Sequence, residues 1–377
     1  MRRHASKNGD KVFLIPAHEI TSDQLLSKNA SEYYKTALNE ESAEVWLHRG
    51  FERMECYRTM EPKEADVFLI AGYLHLAGYR QEATGYAKLL MKRLYNKTKP
   101  HIALTPTWNE EKSLRAGIAD LIVTLKEGGV NLWSVGFERN EIWQHINAKQ
   151  IIPIPYVVRP SYPKEQLQSK ARSSNRTRDF LFYAGAARKN AVRWGGCNRT
   201  MVAPLQNIST MDVSLRDKGS RLSQKEYNNR MFTSDYCLIL CGDTVTSRSL
   251  TSSIVYGCIP VRVGSRLRGL CEPPCHKGWG WTISGADCPH LPFSHSMDWD
   301  SYPEVSEANF SVAPLATLQD MFRSVSSSKR EKIRENILRA QMGWIYGWGD
   351  PVTSQDFGEA TEYVWKSIVS ALGLEGS

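Results

Sequence analysis

The chain has 377 residues, a length that exceeds one compact core and suits two domains of about 150 to 200 residues each. Hydrophobic residues make up 41% and charged residues 23% of the sequence, which are the proportions of an ordinary globular protein. The net charge of +8 comes from scattered Lys and Arg residues, whereas a nucleic-acid-binding protein usually concentrates them in one patch. The charge balance therefore fits an acidic glycan or a nucleotide diphosphate, and we expect no nucleic-acid partner.

The first half of the chain alternates apolar runs with helical patterns. Apolar runs predict strands at Lys11–Pro16, Val67–Leu74, His101–Thr105, Leu121–Leu125 and Asn131–Val135. The spacing of apolar residues predicts helices at Ser22–Glu44, Trp46–Cys56 and Gly85–Asn96. Prolines interrupt the apolar run Ile151–Val158, so we expect it at a sheet edge or at the crossing between domains.

The second half repeats this alternation after a polar, basic and serine-rich stretch, Ser161–Arg178, which we interpret as a linker. Strands are predicted at Phe180–Gly185, Asp212–Leu215, Tyr236–Leu240 and Ile259–Val263. Helices are predicted at Ser223–Phe232, from Leu250 to Gly257, and at Leu315–Ile345 and Phe357–Leu372. The expected organisation is an α/β fold with domains at 1–160 and 179–350, a linker at 161–178 and a C-terminal helix within 351–377.

Residues Tyr236–Val263 form the most informative stretch of the sequence. The order of strand, turn, helix and strand predicts one βαβ unit of a parallel sheet, in which ligands bind outside the carboxyl ends of the strands. Asp243, Thr244, Ser247 and Arg248 crowd the predicted helix start. Backbone N–H groups, hydroxyls and a guanidinium at that position suit a phosphate. Ordinary helix capping by Asp and Thr is the alternative.

The eight cysteines fall into different sequence contexts. Cys237, Cys241 and Cys258 lie in or beside apolar runs, where free buried thiols are common. The spacing of Cys271, Cys275 and Cys288 leaves a disulfide, free thiols or a zinc site open. His276 and His290 are the candidates for a fourth zinc ligand.

Targeting signals point in two directions. No stretch of 18 apolar residues occurs, and the N-terminal residues contain no apolar signal core. Six N-x-[ST] sequons, more than the Asn content predicts by chance, support a secretory route; they lie at Asn29, Asn96, Asn175, Asn198, Asn207 and Asn309. The chain is therefore either cytosolic or the lumenal part of a protein whose membrane anchor lies in a segment outside it.

Three segments, in the same order as in one known family, carry a resemblance. They are YRTMEPKEADVFLIAGYL (Tyr57–Leu74), RDFLFYAGAARKNAVRWGGCNRTMVAPL (Arg178–Leu205) and the stretch Tyr236–Val263 with its GDT and GCIPV motifs. LPFSHSMDW (Leu291–Trp299) fits a fourth, downstream region. Together these segments resemble the exostosin family of glycosyltransferases, and GDT followed by GCIPV at this spacing is the most specific of the matches.

The resemblance implies a GT-B fold, in which two Rossmann-like domains face a cleft. It also implies an inverting mechanism with no tightly held metal and no cofactor beyond the nucleotide-sugar substrate, usually a UDP-sugar. The C-terminal domain would hold this donor, and the N-terminal domain would take the glycan or glycoprotein acceptor. The final helix would cross back to the first domain, and the enzyme would work in the Golgi or another secretory lumen, in polysaccharide biosynthesis.

The resemblance and the chemistry together give expected roles to individual residues. Without a metal, cations, hydroxyls and N–H donors must stabilise the departing nucleotide diphosphate. The candidates are the guanidinium groups of Arg188, Arg199 and Arg248, and the hydroxyls and backbone N–H groups at Asp243, Thr244 and Ser247. Gly185 and Ser252 would lie in the ribose and nucleoside region. His75, after a predicted strand, is the candidate base that deprotonates the acceptor hydroxyl. For each Arg the alternative is a solvated surface cation, and for His75 a core or surface histidine.

Two departures from the family pattern affect this stretch. Ser249 stands where the family usually has Arg, with Arg248 one position earlier. Ser252 stands where the family has the carboxylate expected to bind the donor ribose, and a hydroxyl cannot hold two ribose hydroxyls as a carboxylate does. A catalytically inactive relative that binds a glycan or a nucleotide is therefore the alternative function.

Overall fold

The structure is a computed structural model, and the part of the chain that it describes forms two compact α/β units. Unit 1 comprises Met1–Val157 and Tyr346–Ser377, and unit 2 comprises Val158–Ile345. The described residues are 11–15, 42–70, 92, 94–105, 122–136, 150–158, 160–172, 181–186, 199–216, 222–240, 248–264, 292–293, 297–349 and 354–374. The predicted helices Ser22–Glu44 and Gly85–Asn96 lie largely outside them.

Unit 1 is built on a parallel five-stranded sheet whose strands follow chain order, β1-β2-β3-β4-β5. The strands are β1 (Val12–Ile15), β2 (Val67–Ile70), β3 (His101–Thr105), β4 (Leu132–Gly136) and β5 (Ile151–Pro153). Nearly continuous apolar runs form them because a parallel sheet is covered on both faces. The proline-containing β5 is at the edge of the sheet, as predicted.

Two helices of unit 1, α1 (Ala43–Arg53) and the C-terminal helix, pack against each other. A Cβ at Gly50 would collide with the Thr361 side chain, so the absence of a side chain at Gly50 allows the two helix backbones to approach closely. Phe51 and Trp365 meet edge to face, with ring centroids 6.2 Å apart. The C-terminal helix, Ala360–Leu372, therefore shares the core of unit 1.

Unit 2 also contains a parallel five-stranded sheet, but its strand order is β10-β9-β8-β6-β7. The strands are β6 (Leu181–Ala186), β7 (Met211–Arg216), β8 (Tyr236–Ile239), β9 (Ile259–Val263) and β10 (Glu304–Val305). Strand β8 is at the centre of the sheet, and its four residues are all buried. The predicted strands β6 to β9 are confirmed to within one or two residues.

Helices surround the second sheet. The described ones are α2 (Lys164–Arg172), α3 (Gln224–Thr233), α4 (Arg248–Val255), α5 (Glu307–Val312), α6 (Pro314–Ser324) and α7 (Ser327–Ala340). The C-terminal helix of unit 1, Ala360–Leu372, is α8. Helix α2 occupies part of the stretch 161–178 that the sequence suggests as a linker. It packs against α7, and its Leu167 is buried, which the polar composition of the stretch conceals.

Two sequence predictions of secondary structure are wrong. Residues 122–127 are helical rather than the predicted strand Leu121–Leu125, because a short apolar run fits a buried helix as well as a strand. The single helix predicted over Leu315–Ile345 is divided into α6, α7 and a 3-10 turn, Gln341–Trp344. The division falls at Ser326, whose Oγ accepts from the Lys329 N–H at 3.2 Å and so begins a new helix.

A disulfide joins Cys237 to Cys258, with their Cα atoms 5.8 Å apart. The interpretation of these two residues as free buried thiols is therefore wrong. Cys237 lies in β8, Cys258 directly precedes β9, and the register places Tyr236 opposite Ile259. The pairing of the two strands thus brings the thiols together, and hydrophobic runs alone do not reveal this pairing. Cys56 is free and exposed; Cys197, Cys241, Cys271, Cys275 and Cys288 lie outside the described residues.

No helix in the described ranges is long and apolar enough to cross a membrane.

We predict that the stability of the chain falls as the pH drops below about 6.5, because His101 is fully buried at the start of β3. Its ring stacks on Phe68, with centroids 4.8 Å apart, and its Nδ1 bonds to the Lys99 carbonyl oxygen. Burial lowers the pKa of His101, and the bond to Lys99 offsets part of that shift. Below the unfolded pKa the unfolded chain binds more protons than the folded chain, so acid favours unfolding.

Urea unfolding at a series of pH values measures this effect. His101→Phe keeps the ring stacking but removes the titrating group, and it should reduce the slope of unfolding free energy against pH. An unchanged slope in this variant would show that other groups cause the acid sensitivity.

Candidate functional site

The order of the described strands in unit 2 creates a topological switch point. From β6 the chain goes to β7 on one side of the sheet, and then β8 returns to the other side of β6. Leu181 pairs with Tyr236 and Phe182 with Cys237, so β6 and β8 are parallel neighbours. Ligands of open α/β sheets bind outside the carboxyl ends of the strands at such a point. The described strands of unit 1 run in chain order and contain no such reversal.

Gly185 lies near the carboxyl end of β6, where the Tyr183 side chain extends along the strand. A Cβ at Gly185 would collide with the Tyr183 hydroxyl. Glycine at this position therefore lets a buried tyrosine lie against the backbone beside the switch point. The structure thus gives Gly185 a packing role next to the region in which the sequence analysis expects the nucleoside.

Arg248 is the first residue of α4, the helix that follows the central strand β8. Its side chain is half-buried, and its NH2 group donates a hydrogen bond to Gln224 Oε1 at 2.7 Å. A guanidinium at the first turn of a helix combines a full positive charge with the N–H groups and dipole of the helix end. This arrangement can bind a phosphate or diphosphate at the switch point.

Ser249 and Ser252, the two departures from the family pattern, occupy different environments on α4. Ser249 is half-buried, and its Oγ lies 3.5 Å from the Tyr227 hydroxyl. Ser252 is fully buried, and its Oγ has no hydrogen-bond partner within the described structure. Leaving a buried hydroxyl unpaired costs about 1–3 kcal/mol, so either the fold bears this cost or a ligand group satisfies the hydroxyl.

Arg199 has a different position from Arg248. It begins a 3-10 segment, Arg199–Leu205, that packs against β7. Strand β7 is at the edge of the sheet, two strands from β8. Arg199 thus begins a segment beside the edge strand β7, whereas Arg248 begins the helix that follows the central strand β8.

The remaining predicted site residues lie outside the described part of the chain. They are His75, Arg188, Asp243, Thr244 and Ser247. Among the residues that are described, no cluster of three or more His, Cys, Asp or Glu side chains could hold a metal ion.

Two polar residues of α3, Gln224 and Asn228, belong to the candidate site although no sequence motif marks them. Gln224 Nε2 donates to Asn228 Oδ1 at 2.7 Å, so the amide that contacts Arg248 is itself held. Both residues follow Ser223, which forms a capping box with Glu226. That S-x-x-E signature agrees with the helix predicted from Ser223, but it does not show that α3 faces α4.

Comparison with known proteins assigns the chain to a family. Residues 18–320 match the model of the Exostosin GT47 domain. The chain belongs to the exostosin GT47 family. No curated protein matches it in sequence. Two parallel α/β units and this family membership agree with the GT-B fold predicted from the sequence.

Solved structures similar to this exostosin GT47 chain are distant. The GtfA/B complex has 11% identity and a TM-score of 0.34, over 79% of this chain and 60% of that one. Pneumococcal O-GlcNAc transferase GtfA in complex with UDP and GlcNAc has 10% identity and a TM-score of 0.30, and the match covers 92% of this chain and 60% of that one. The catalytic domain of starch synthase IV from Arabidopsis thaliana, bound to ADP and acarbose, has 11% identity and a TM-score of 0.32. This match covers 94% of the present chain and 78% of the other. The chain thus spans about 60% of the first two, and these TM-scores are too low to compare sites.

We predict that Ser252→Ala weakens the binding of UDP, the nucleotide expected from the family, without destabilising the protein. If Ser252 Oγ bonds to the ribose, its loss should raise the dissociation constant about 3- to 10-fold. The folded protein loses no hydrogen bond within its described structure, so its melting temperature should stay the same or rise. Thermal shift with and without UDP measures both quantities.

Ser253→Ala is the matched control for this prediction. Ser253 is equally buried, but its Oγ donates to the Leu250 carbonyl oxygen at 2.6 Å. The control should therefore lower the melting temperature and leave UDP affinity unchanged. An unchanged UDP affinity in Ser252→Ala would contradict a ribose contact at Ser252.

Proposed function

We propose that this chain is an inverting glycosyltransferase that transfers a sugar from a UDP-sugar to a glycan or glycoprotein acceptor without a tightly held metal. The observation that carries the proposal is the position of Arg248 at the β6–β8 switch point of an exostosin GT47 chain. The donor diphosphate would lie at the start of α4, outside the carboxyl ends of β6 and β8.

The chemistry of sugar transfer explains why a cation is needed there. The acceptor oxygen attacks the anomeric carbon of the sugar while the bond to the diphosphate oxygen breaks, and the acceptor proton passes to a base. One such displacement inverts the anomeric configuration. Negative charge develops on the leaving diphosphate, and a fixed guanidinium beside it stabilises the transition state more than the ground state. We propose Arg248 for this role and His75 for the base.

We predict that Arg248→Ala weakens UDP binding about 30- to 100-fold, which corresponds to about 2–3 kcal/mol for a charge-assisted hydrogen bond to phosphate. Isothermal titration calorimetry with UDP measures the change. Arg248→Lys keeps the charge but not the planar fork of donors, so its UDP affinity should be intermediate between those of the wild type and Arg248→Ala.

The control for this prediction is Arg323→Ala. Arg323 is an exposed cation of α6 in the same unit, and its substitution removes the same charge. It should leave UDP affinity unchanged. Equal UDP affinity in Arg248→Ala and wild type would mean that the diphosphate binds elsewhere.

A second candidate function is a non-catalytic relative that binds a nucleotide or a glycan. The fully buried hydroxyl of Ser252, in place of the carboxylate of the family pattern, favours it. The two functions differ in turnover. A transferase slowly hydrolyses its UDP-sugar in the absence of an acceptor, whereas the binding protein retains UDP affinity without turnover of any donor.

We propose the lumen of the secretory pathway, with the Golgi as the expected compartment, as the site of action. The Cys237–Cys258 disulfide supports this proposal, because disulfides persist in oxidising compartments and are rare in the cytosol. The sequon at Asn96 gives independent support. Asn96 is exposed, and its Oδ1 accepts hydrogen bonds from the Thr98 hydroxyl at 2.6 Å and the Thr98 N–H at 3.2 Å.

We predict that the chain, directed through the secretory pathway of a eukaryotic host, carries an N-linked glycan on Asn96. Asn96→Gln should remove one glycosidase-sensitive mass increment, which intact-mass spectrometry measures. Thr98→Ala should have the same effect, and Thr98→Ser, which keeps a hydroxyl, should not. An unmodified Asn96 peptide from the secreted protein would contradict the prediction.

A further inference from the structure

Five residues connect the two ends of α4 through a chain of hydrogen bonds, which we call the polar network. Arg248 NH2 donates to Gln224 Oε1 at 2.7 Å, and Gln224 Nε2 donates to Asn228 Oδ1 at 2.7 Å. Asn228 Nδ2 donates to Ser161 Oγ at 2.6 Å, and the Ser161 backbone N–H donates to the Tyr256 phenol oxygen at 3.3 Å. The network begins at the first residue of α4 and ends at the residue that follows its last.

The donor groups of Arg248 set the direction of the network. A guanidinium can only donate, so Gln224 must present its amide oxygen to Arg248 and its amide nitrogen to Asn228. The same rule then turns the Asn228 nitrogen toward Ser161. Each amide thus receives a hydrogen bond on one side and donates one on the other, and hydrogen bonds aligned in this way strengthen one another.

The middle and far end of the network are fixed by burial. Asn228 is fully buried, and Tyr256 is 1% exposed. Burial raises the pKa of Tyr256 to about 12, so its phenol stays protonated at neutral pH. Ser223 and Glu226 cap the first turn of α3 with reciprocal bonds of 3.2 and 2.8 Å, which hold the backbone of Gln224. The flexible Arg248 side chain is therefore attached to a rigid support.

The amide of Gln224 is a neutral partner for Arg248. A carboxylate at this position would orient the guanidinium but would also offset its positive charge. An amide oxygen orients the guanidinium and leaves its charge unchanged for an anionic ligand. A site that must bind a diphosphate gains from this combination, because less conformational entropy is lost when the ligand binds to a pre-oriented side chain.

We propose that Gln224 and Asn228 are positioning residues, which hold the Arg248 guanidinium in the orientation that binds the nucleotide diphosphate. Neither residue needs to touch the ligand, because Gln224 acts through Arg248 and Asn228 acts through Gln224. This inference rests on the proposed function, since it takes Arg248 as the ligand of the diphosphate.

A double-mutant cycle between Gln224→Ala and Arg248→Ala, with UDP affinity measured by calorimetry, tests the proposal. Gln224→Ala should raise the dissociation constant of UDP about 5- to 10-fold in the wild-type background and should have no effect in the Arg248→Ala background. Asn228→Ala should add nothing to the loss in Gln224→Ala. A merely structural role would instead give losses that add in every background.

Gln224 is suited to this test because its side chain is exposed, so water can replace it as the partner of Asn228 Oδ1 and its truncation should lower the melting temperature only slightly. Gln206→Ala, another exposed glutamine of unit 2, is the matched control and should bind UDP as the wild type does. If wild type binds UDP and Gln224→Ala binds it equally well, the positioning role is wrong while the proposed function stands. If the wild-type protein does not bind UDP, both are overturned.

Discussion

The parallel pairing of β6 with β8 is the constraint on which the candidate site depends. Strand β7 intervenes in the chain but lies on the far side of β6, so the connections that leave β6 and β8 start side by side. In such a sheet, each crossover helix covers one face between two strands. Where the strand order reverses, the connections leave to opposite sides, and a crevice lies between them. On the other side of β8, its register with β9 places Cys237 near Cys258 at the amino ends of those two strands, away from the crevice. The two pairings of the central strand β8 thus determine the disulfide on one side and the switch point beside Arg248 on the other.

The sequence predicts a strand or helix correctly where the pattern of buried residues within that one segment determines it. The predicted bounds of β9 match the structure residue for residue, because this mostly apolar strand is buried throughout and is followed by Gly264, which has a positive φ of 85°. The disulfide and the helix at residues 122–127 could not be predicted. Both depend on which segments are neighbours in space, whereas hydrophobic periodicity reports only whether a segment is covered.

The candidate site shows the same division. A recognisable motif in the sequence identifies Arg248, and the structure shows that it donates a hydrogen bond to Gln224. Gln224 and Asn228 look like the solvated face of a helix in the sequence, yet Asn228 is fully buried. Polar residues acquire such roles through the crossing of two helices, α3 and α4, which no spacing within either helix encodes. The family resemblance predicts that Gly185 lies near the nucleoside, and the structure shows that the Tyr183 side chain also requires a glycine at this position.

The two departures from the family pattern can be understood as one change. Arg at 249 and a carboxylate at 252 would be three residues apart on α4, a spacing at which opposite charges on a helix attract each other. In this chain the arginine stands at 248, and Ser252 offers no charge. Arg248 donates a hydrogen bond to Gln224, a neutral residue on a different helix. Under the proposed function, this partner adds no negative charge beside the diphosphate, and Ser252 would offer the ribose a single hydroxyl. We therefore expect the diphosphate, rather than the nucleoside, to account for most of the donor recognition in this protein.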